Sequence, residues 1–283
     1  MVVNVDKVGR TNEELLAAMR GDASVLSTEE MLFAATLTND LVEKLRFYQI
    51  AAEAFPTCIR AQNNIGYTYM AIYKAGVTIP PAATAGGGGG GGRSSNPIDL
   101  AIAAFERAKA IENNDIVKNN LGMTALARGE IVKAEEYFTS MSSATPESRW
   151  GLGVIAIARG QYDQAVNHFG SDPSFNNALA LILKGDYTRA KTMLDGIQEA
   201  SEGNSSIRSY ENEGRIVFVT YSIPKGKRDY LKAVVGARLG DSNYVFNSLR
   251  AAVTADPEWK DYARTDLEFA KYFYDDTFRS IIR

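Results

Sequence analysis

Apolar and polar residues alternate along this chain with a helical period, and one short phrase repeatedly closes one helical pattern and opens the next. Ala127-Arg128-Gly129-Glu130, Ala158-Arg159-Gly160-Gln161, Leu183-Lys184-Gly185-Asp186 and Arg238-Leu239-Gly240-Asp241 are its clearest instances. Five residues after each glycine stands Ala134, Ala165, Ala190 or Val245, and four further on stands Phe138, Phe169, Leu194 or Leu249. Seven residues before each glycine stands Gly122, Gly153, Ala178 or Ala233. Glycine at the end of a helix accepts the left-handed backbone that stops it. The acidic or amide residue that follows suits the positive end of the next helix. A small residue lets two antiparallel helices come close, and a large one four positions along the same face fills the gap beyond. The pattern therefore predicts repeated helix hairpins, and Ala101 with Phe105 shows the same small–large pair.

The spacing between units varies. Ala101 to Ala134 is 33 residues and Ala134 to Ala165 is 31, but Ala165 to Ala190 is only 25. That shortfall predicts a clipped second helix ended by Gly170-Ser171-Asp172-Pro173. Ala190 to Val245 is 55 residues, an excess that predicts an insertion. A further unit is expected over 27–56, where Ser27 can cap a helix and Glu30 can complete a capping box.

These modules resemble tetratricopeptide repeats, whose usual period is ~34 residues. The first-helix pattern of that family is matched by Ile65, Gly66 and Tyr69, by Leu121, Gly122 and Ala125, and by Leu152, Gly153 and Ala156. Ala101, Phe105 and Ala108 match its second helix, Tyr48 and Ala51 fall where an aromatic and an alanine belong, and Pro56 and Pro257 match its closing proline. The resemblance implies an all-α fold: about six antiparallel helix pairs in a right-handed superhelical solenoid that spans 1–283 as a single array. Residues 257–283, with Trp259, Tyr262, Phe269, Tyr272, Phe273 and Phe278, are expected to form capping helices packed on one side only.

Two insertions interrupt the array. The first, at about 76–97, holds Pro80-Pro81 and seven glycines from Gly86 to Gly92. A phosphate-cradling loop would need a preceding strand and a lysine followed by Ser or Thr, whereas Arg93-Ser94-Ser95 follows here. A flexible linker is the expectation. The second, at about 203–228, centres on Arg215-Ile216-Val217-Phe218-Val219-Thr220-Tyr221-Ser222-Ile223-Pro224, whose β-branched and aromatic content predicts a short β-like arm. Such an arm either folds back on the solenoid or adds a strand to a partner sheet.

Composition narrows the chemistry. The chain has 283 residues, 45 % hydrophobic and 23 % charged, and a net charge of −3. That balance supplies no field for nucleic acid, and Lys225-Gly226-Lys227-Arg228 is too short a basic run to supply one locally. Cys58 and His168 are the single residues of their types, too few for a protein-only zinc site or an internal disulfide. No serine stands in a nucleophile elbow, His168 reads as a half-exposed helix residue, and the Glu pairs fit helix starts and solvated faces. No catalysis, metal or cofactor is expected. No run approaches the ~20 apolar residues that would insert into a bilayer. Met1-Val2-Val3-Asn4-Val5-Asp6 carries no signal-peptide pattern, so an exported protein would already have lost its signal.

The expected activity is therefore to hold another protein or peptide. In tetratricopeptide repeats the first-helix positions near the small residue line the inner groove, which implicates Asn63, Asn64, Tyr67, Asn119, Asn120 and Met123, with Val154, Arg149 and Trp150 nearby. A side-chain amide both donates and accepts, so it can hold an extended peptide backbone. The same asparagines could instead bridge adjacent repeats. Asn176-Asn177 stands one step out of register, and Lys118 alone is too few lysines for a carboxylate clamp. The phrases Lys118-Asn119-Asn120-Leu121-Gly122, Ser174-Phe175-Asn176-Asn177-Ala178-Leu179-Ala180 and Thr265-Asp266-Leu267-Glu268-Phe269-Ala270-Lys271-Tyr272-Phe273 resemble repeat regions of Bacteroidota cell-envelope proteins that accompany an outer-membrane-protein-A-like domain. That likeness implies an assembly role in the periplasm or at the outer membrane, with the cytoplasm as the alternative place. A structural spacer or self-associating module is the alternative function.

Overall fold

The computed structural model describes residues 9–79, 96–171, 173–197 and 224–283. These fall into two compact units, one ending at Ala144 and the other beginning at Thr145. Every element longer than a turn is helical among the described residues.

The first unit holds α1 (Asn12–Arg20), α2 (Thr28–Thr36), α3 (Leu41–Ala54), α4 (Ile59–Ala75), α5 (Pro97–Ile111), α6 (Asp115–Ala127) and α7 (Ile131–Thr139). Several of their starts are marked in the sequence. Ser27 and Glu30 close a reciprocal capping box on α2, and Thr11 and Glu14 close another on α1, a helix that the repeat pattern did not reveal. Asn96 caps α5 through the N–H of Ile98 at 3.1 Å, with Pro97 in the first turn, where it has no N–H to waste.

Successive helices pack as hairpins, α2 on α3, α4 on α5 and α6 on α7. The small–large rule is physical here. A Cβ built on Gly66 would lie 2.5 Å from the Phe105 ring, and one on Gly122 would lie 2.6 Å from Phe138. Both phenylalanines are buried, each worth about 1.5–3 kcal/mol of apolar transfer. Between α6 and α7 the turn is closed by Gly129 at φ +75°.

The second unit holds α8 (Pro146–Ala158), α9 (Tyr162–Phe169), α10 (Phe175–Lys184), α11 (Tyr187–Gly196), α12 (Lys227–Leu239), α13 (Ser242–Ala255), α14 (Trp259–Thr265) and α15 (Asp276–Ile282), with a 3₁₀ segment at Leu267–Tyr272. Gly153 takes the Phe169 ring as Gly66 takes Phe105, at 2.5 Å from an added Cβ. In α10/α11 and α12/α13 the pair becomes Ala178 with Leu194 and Ala233 with Leu249, all four fully buried. Helix α9 ends at Gly170 as expected, but at eight residues it is only one shorter than α7. More of the shortfall in the 25-residue spacing falls in α10, ten residues long against thirteen in α6 and α8.

Counting α2/α3 through α12/α13 gives six hairpins among the described residues. The capping segment packs Phe269, Tyr272, Phe278 and Ile281 against Tyr230, Val245 and Leu249. Tyr230 stacks on Trp259 with ring centres 4.6 Å apart and donates to Asp266 at 2.7 Å.

The glycine-rich stretch 80–95 and the predicted β-like residues 203–223 lie outside the described residues. The second insertion is shorter than expected at its far end: Lys225-Gly226 is a turn and Lys227 already opens α12.

Candidate functional site

The first helix of each hairpin carries the candidate contact residues, beginning with the paired asparagines. On α4, Asn63 and Asn64 precede Ile65 and Gly66, and on α6, Asn119 and Asn120 precede Leu121 and Gly122. Helices α4 and α6 touch directly, because each presents its small-residue face to its own hairpin partner and an adjacent face to the other.

All four asparagines have no solvent exposure, and their amides bond to one another. Asn119 Nδ2 donates to Asn120 Oδ1 at 3.2 Å, Asn120 Nδ2 donates to Asn63 Oδ1 at 2.7 Å, and Asn63 Nδ2 approaches Asn64 Oδ1 at 3.4 Å. One turn on, Thr68 Oγ1 and Thr124 Oγ1 each donate to the carbonyl four residues back, Asn64 and Asn120, at 2.7 Å. The relay thus runs from α6 to α4 through the bond between Asn120 and Asn63.

Asn63, Asn64, Asn119 and Asn120, expected to meet a peptide directly, have no exposed surface in this structure, and Met123 is 4 % exposed. The bridging role, which the sequence left open beside the groove role, is where the structure puts these amides. Their matching positions were legible in the sequence, but the offset between neighbouring helices that brings Asn120 onto Asn63 was not.

Tyr67 is half-buried, Arg149 is exposed and Trp150 is half-buried. Trp150, Val154 and Ile157 recur at helical spacing on α8, all partly open and packed on the core below. Asn177 is out of register by one position and does something different: its Nδ2 donates to the carbonyl of Gly170, the C-cap of α9, at 3.0 Å.

Lys118 is committed elsewhere. Its Nζ donates to the Ser140 carbonyl at 2.8 Å and lies 3.8 Å from Asp115. Asp115 accepts from the backbone N–H groups of Ser142 and Ser143 at 2.9 and 3.3 Å, and tethers the loop after α7 to the start of α6. Burial pushes the Asp115 carboxyl up, but the Ser142 hydroxyl and backbone donors outweigh it and hold it below the usual carboxylate range. His168 is half-buried and its imidazole is pushed down by that burial alone. Cys58 stands at the start of α4, in the first unit, while His168 belongs to the second. No cluster of His, Cys, Asp or Glu among the described residues could hold a metal ion, and no helix among them is long and apolar enough to cross a membrane.

Hairpins joined by glycine turns, with a glycine or alanine on one helix taking a phenylalanine or leucine from the next, define the tetratricopeptide-repeat fold. Solved structures show the same fold at low identity. A chain of the APC/C hetero-tetramer Cut9–Hcn1 superposes with a TM-score of 0.62 at 15 % identity over 95 % of this chain and 45 % of its own. This chain therefore spans less than half the length of that one. A tetratricopeptide repeat protein from Parabacteroides merdae gives 0.55 at 14 % identity, over 96 % of this chain and 91 % of its own. PilW, a type IV pilus biogenesis factor, gives 0.54 at 13 % identity, over 93 % of this chain and all of its own. No family model matches the sequence, and no curated protein matches it.

Proposed function

We propose that this chain is a non-catalytic scaffold that binds a peptide or protein partner along the faces of its first helices. The observation that carries the reading is Trp150, Val154 and Ile157 on α8, a partly open apolar stripe beside the exposed cation Arg149. Aromatic and arginine side chains are the types that anchor protein interfaces. Tyr67 on α4 is the corresponding open position in the first unit. In this reading the buried asparagines of the first unit stand behind the contact face.

A setting in a cell-envelope assembly, periplasmic or at the outer membrane, rests on the resemblance of residues 118–122, 174–180 and 265–273 to Bacteroidota envelope repeats. The test is a photo-cross-linking side chain at Trp150 or Tyr67, irradiated in the native host and analysed by mass spectrometry. The expected result is one protein captured from both positions and not from Lys133 on the outer helix α7. Equal capture from all three positions would sink the proposal.

A second reading, self-association, is favoured by the capping segment, where Tyr262, Leu267 and Tyr274 are 63 %, 80 % and 84 % exposed. Sedimentation across a concentration series decides it, because a monomer at every concentration removes this alternative.

A further inference from the structure

We infer that the amide relay Asn119–Asn120–Asn63–Asn64 is a register pin, which fixes how α6 lies along α4 while adding little to stability. This does not depend on what the scaffold binds.

Four carboxamides with no exposure give up their hydrogen bonds to water, and the bonds they make to one another return little more than that loss. The two nearly cancel, so the relay contributes little to the depth of the folded state. Its effect on alternatives is much larger. Small and aliphatic side chains on two touching helices tolerate small slides, because the dispersion attraction given up on one side is recovered on the other. The 2.7 Å bond from Asn120 Nδ2 to Asn63 Oδ1 has no such tolerance. A slide of one residue, about 1.5 Å along the helix, takes that bond off its 2.7 Å optimum and misaligns the two buried amides.

Helix α4 is held to α5 by the Phe105 ring seated on Gly66, and the relay ties it in addition to α6, the first helix of the next hairpin.

The test uses the native Cys58 at the start of α4 and a second cysteine from Lys133→Cys on α7, both nitroxide-labelled, with their separation read by double electron–electron resonance. The parent should give one narrow distance distribution. Asn63→Leu with Asn120→Leu should widen or split it by at least about twofold in a chain that stays folded, with the thermal midpoint lowered modestly because Asn64 and Asn119 each lose a partner. Asn63→Val with Asn120→Val repeats the test with a smaller side chain, so that a misfit peculiar to leucine is recognised. An unchanged distribution in a folded double variant overturns the inference. Unfolding of both double variants also overturns it, since the relay would then be a stability element.

Discussion

The hairpins α6/α7 and α10/α11 solve one packing problem in two ways. In the first, Gly122 lies against the Phe138 ring; in the second, Ala178 is paired with Leu194. The volume removed from one helix is supplied by the other, so the pair and not either residue is the unit of design. Their asparagines diverge as well. Asn120, two positions before Gly122, bonds to an amide on α4, the first helix of the preceding hairpin, while Asn177, one position before Ala178, bonds to the Gly170 carbonyl at the end of the helix just before it. A shift of one residue turns a side chain by ~100° around a helix, enough to exchange a neighbouring repeat for the end of the preceding helix.

The largest effect should come from emptying the large position. Phe138→Ala should cost about 3–5 kcal/mol and Leu194→Ala about 2–5 kcal/mol, because the cavity adds to the lost transfer energy. Repeat arrays unfold in parts, so native-state hydrogen exchange resolved by helix is the proper measurement. Loss of protection confined to α7 and its neighbours after Phe138→Ala would support the hairpin as the cooperative unit. Next comes Gly122→Ala, which drives a methyl into the Phe138 ring and should cost about 1–3 kcal/mol. Adding Phe138→Leu should recover part of that loss, since it rebuilds the Ala–Leu arrangement of α10/α11. If the double variant is no better than the sum of the singles, the two hairpins are not interchangeable solutions.

A smaller effect separates backbone from packing. Gly129 and Gly185 hold φ of +75° and +87°, and an added Cβ at either would meet nothing within 4 Å. Alanine at either should therefore cost only the left-handed strain, about 1–2 kcal/mol, and the two costs should agree. Chemical denaturation of the two variants side by side checks this. Unequal losses would mean that the turns differ in more than conformation.

The sequence was most informative where one residue's role depends on its own helix. Gly129, Gly160, Gly185 and Gly240 announce turns, Ser27 with Glu30 announces a helix start, and Gly170 announces the end of α9. All follow from local geometry. It was least informative where the role depends on an offset between helices. The matched asparagines were visible, but whether they open to a groove or close on each other turns on a few ångströms between α4 and α6. Helix α1 escaped the repeat pattern because it belongs to no repeat, although Thr11 and Glu14 carry the same capping signal as Ser27 and Glu30.

The smallest effect lies at the starts of the second helices and sharpens the comparison furthest. Asp186 before α11 accepts from the Arg189 N–H at 3.2 Å, whereas Glu130 before α7 makes no such bond. The carboxylate of Glu130 is one methylene farther from its backbone and lies instead by Arg128 and Lys133, at 3.2 and 3.1 Å. Exposed ion pairs of this kind are worth about 0–1 kcal/mol and fade with salt. An N-cap bond is worth about 0.5–2 kcal/mol and does not depend on a distant charge. Asp186→Ala should therefore destabilise α11 by about 1 kcal/mol, with only the smaller share from its 3.4 Å ion pair with Arg189 fading as salt is added. Glu130→Asp should leave α7 unchanged or slightly more stable, with the gain clearest in high salt, where the ion pairs it gives up no longer count. Helix-resolved exchange at low and high salt reads both. A loss from Glu130→Asp that grows as salt is added would show that the acidic residue after the turn glycine does not act through the start of the helix it precedes.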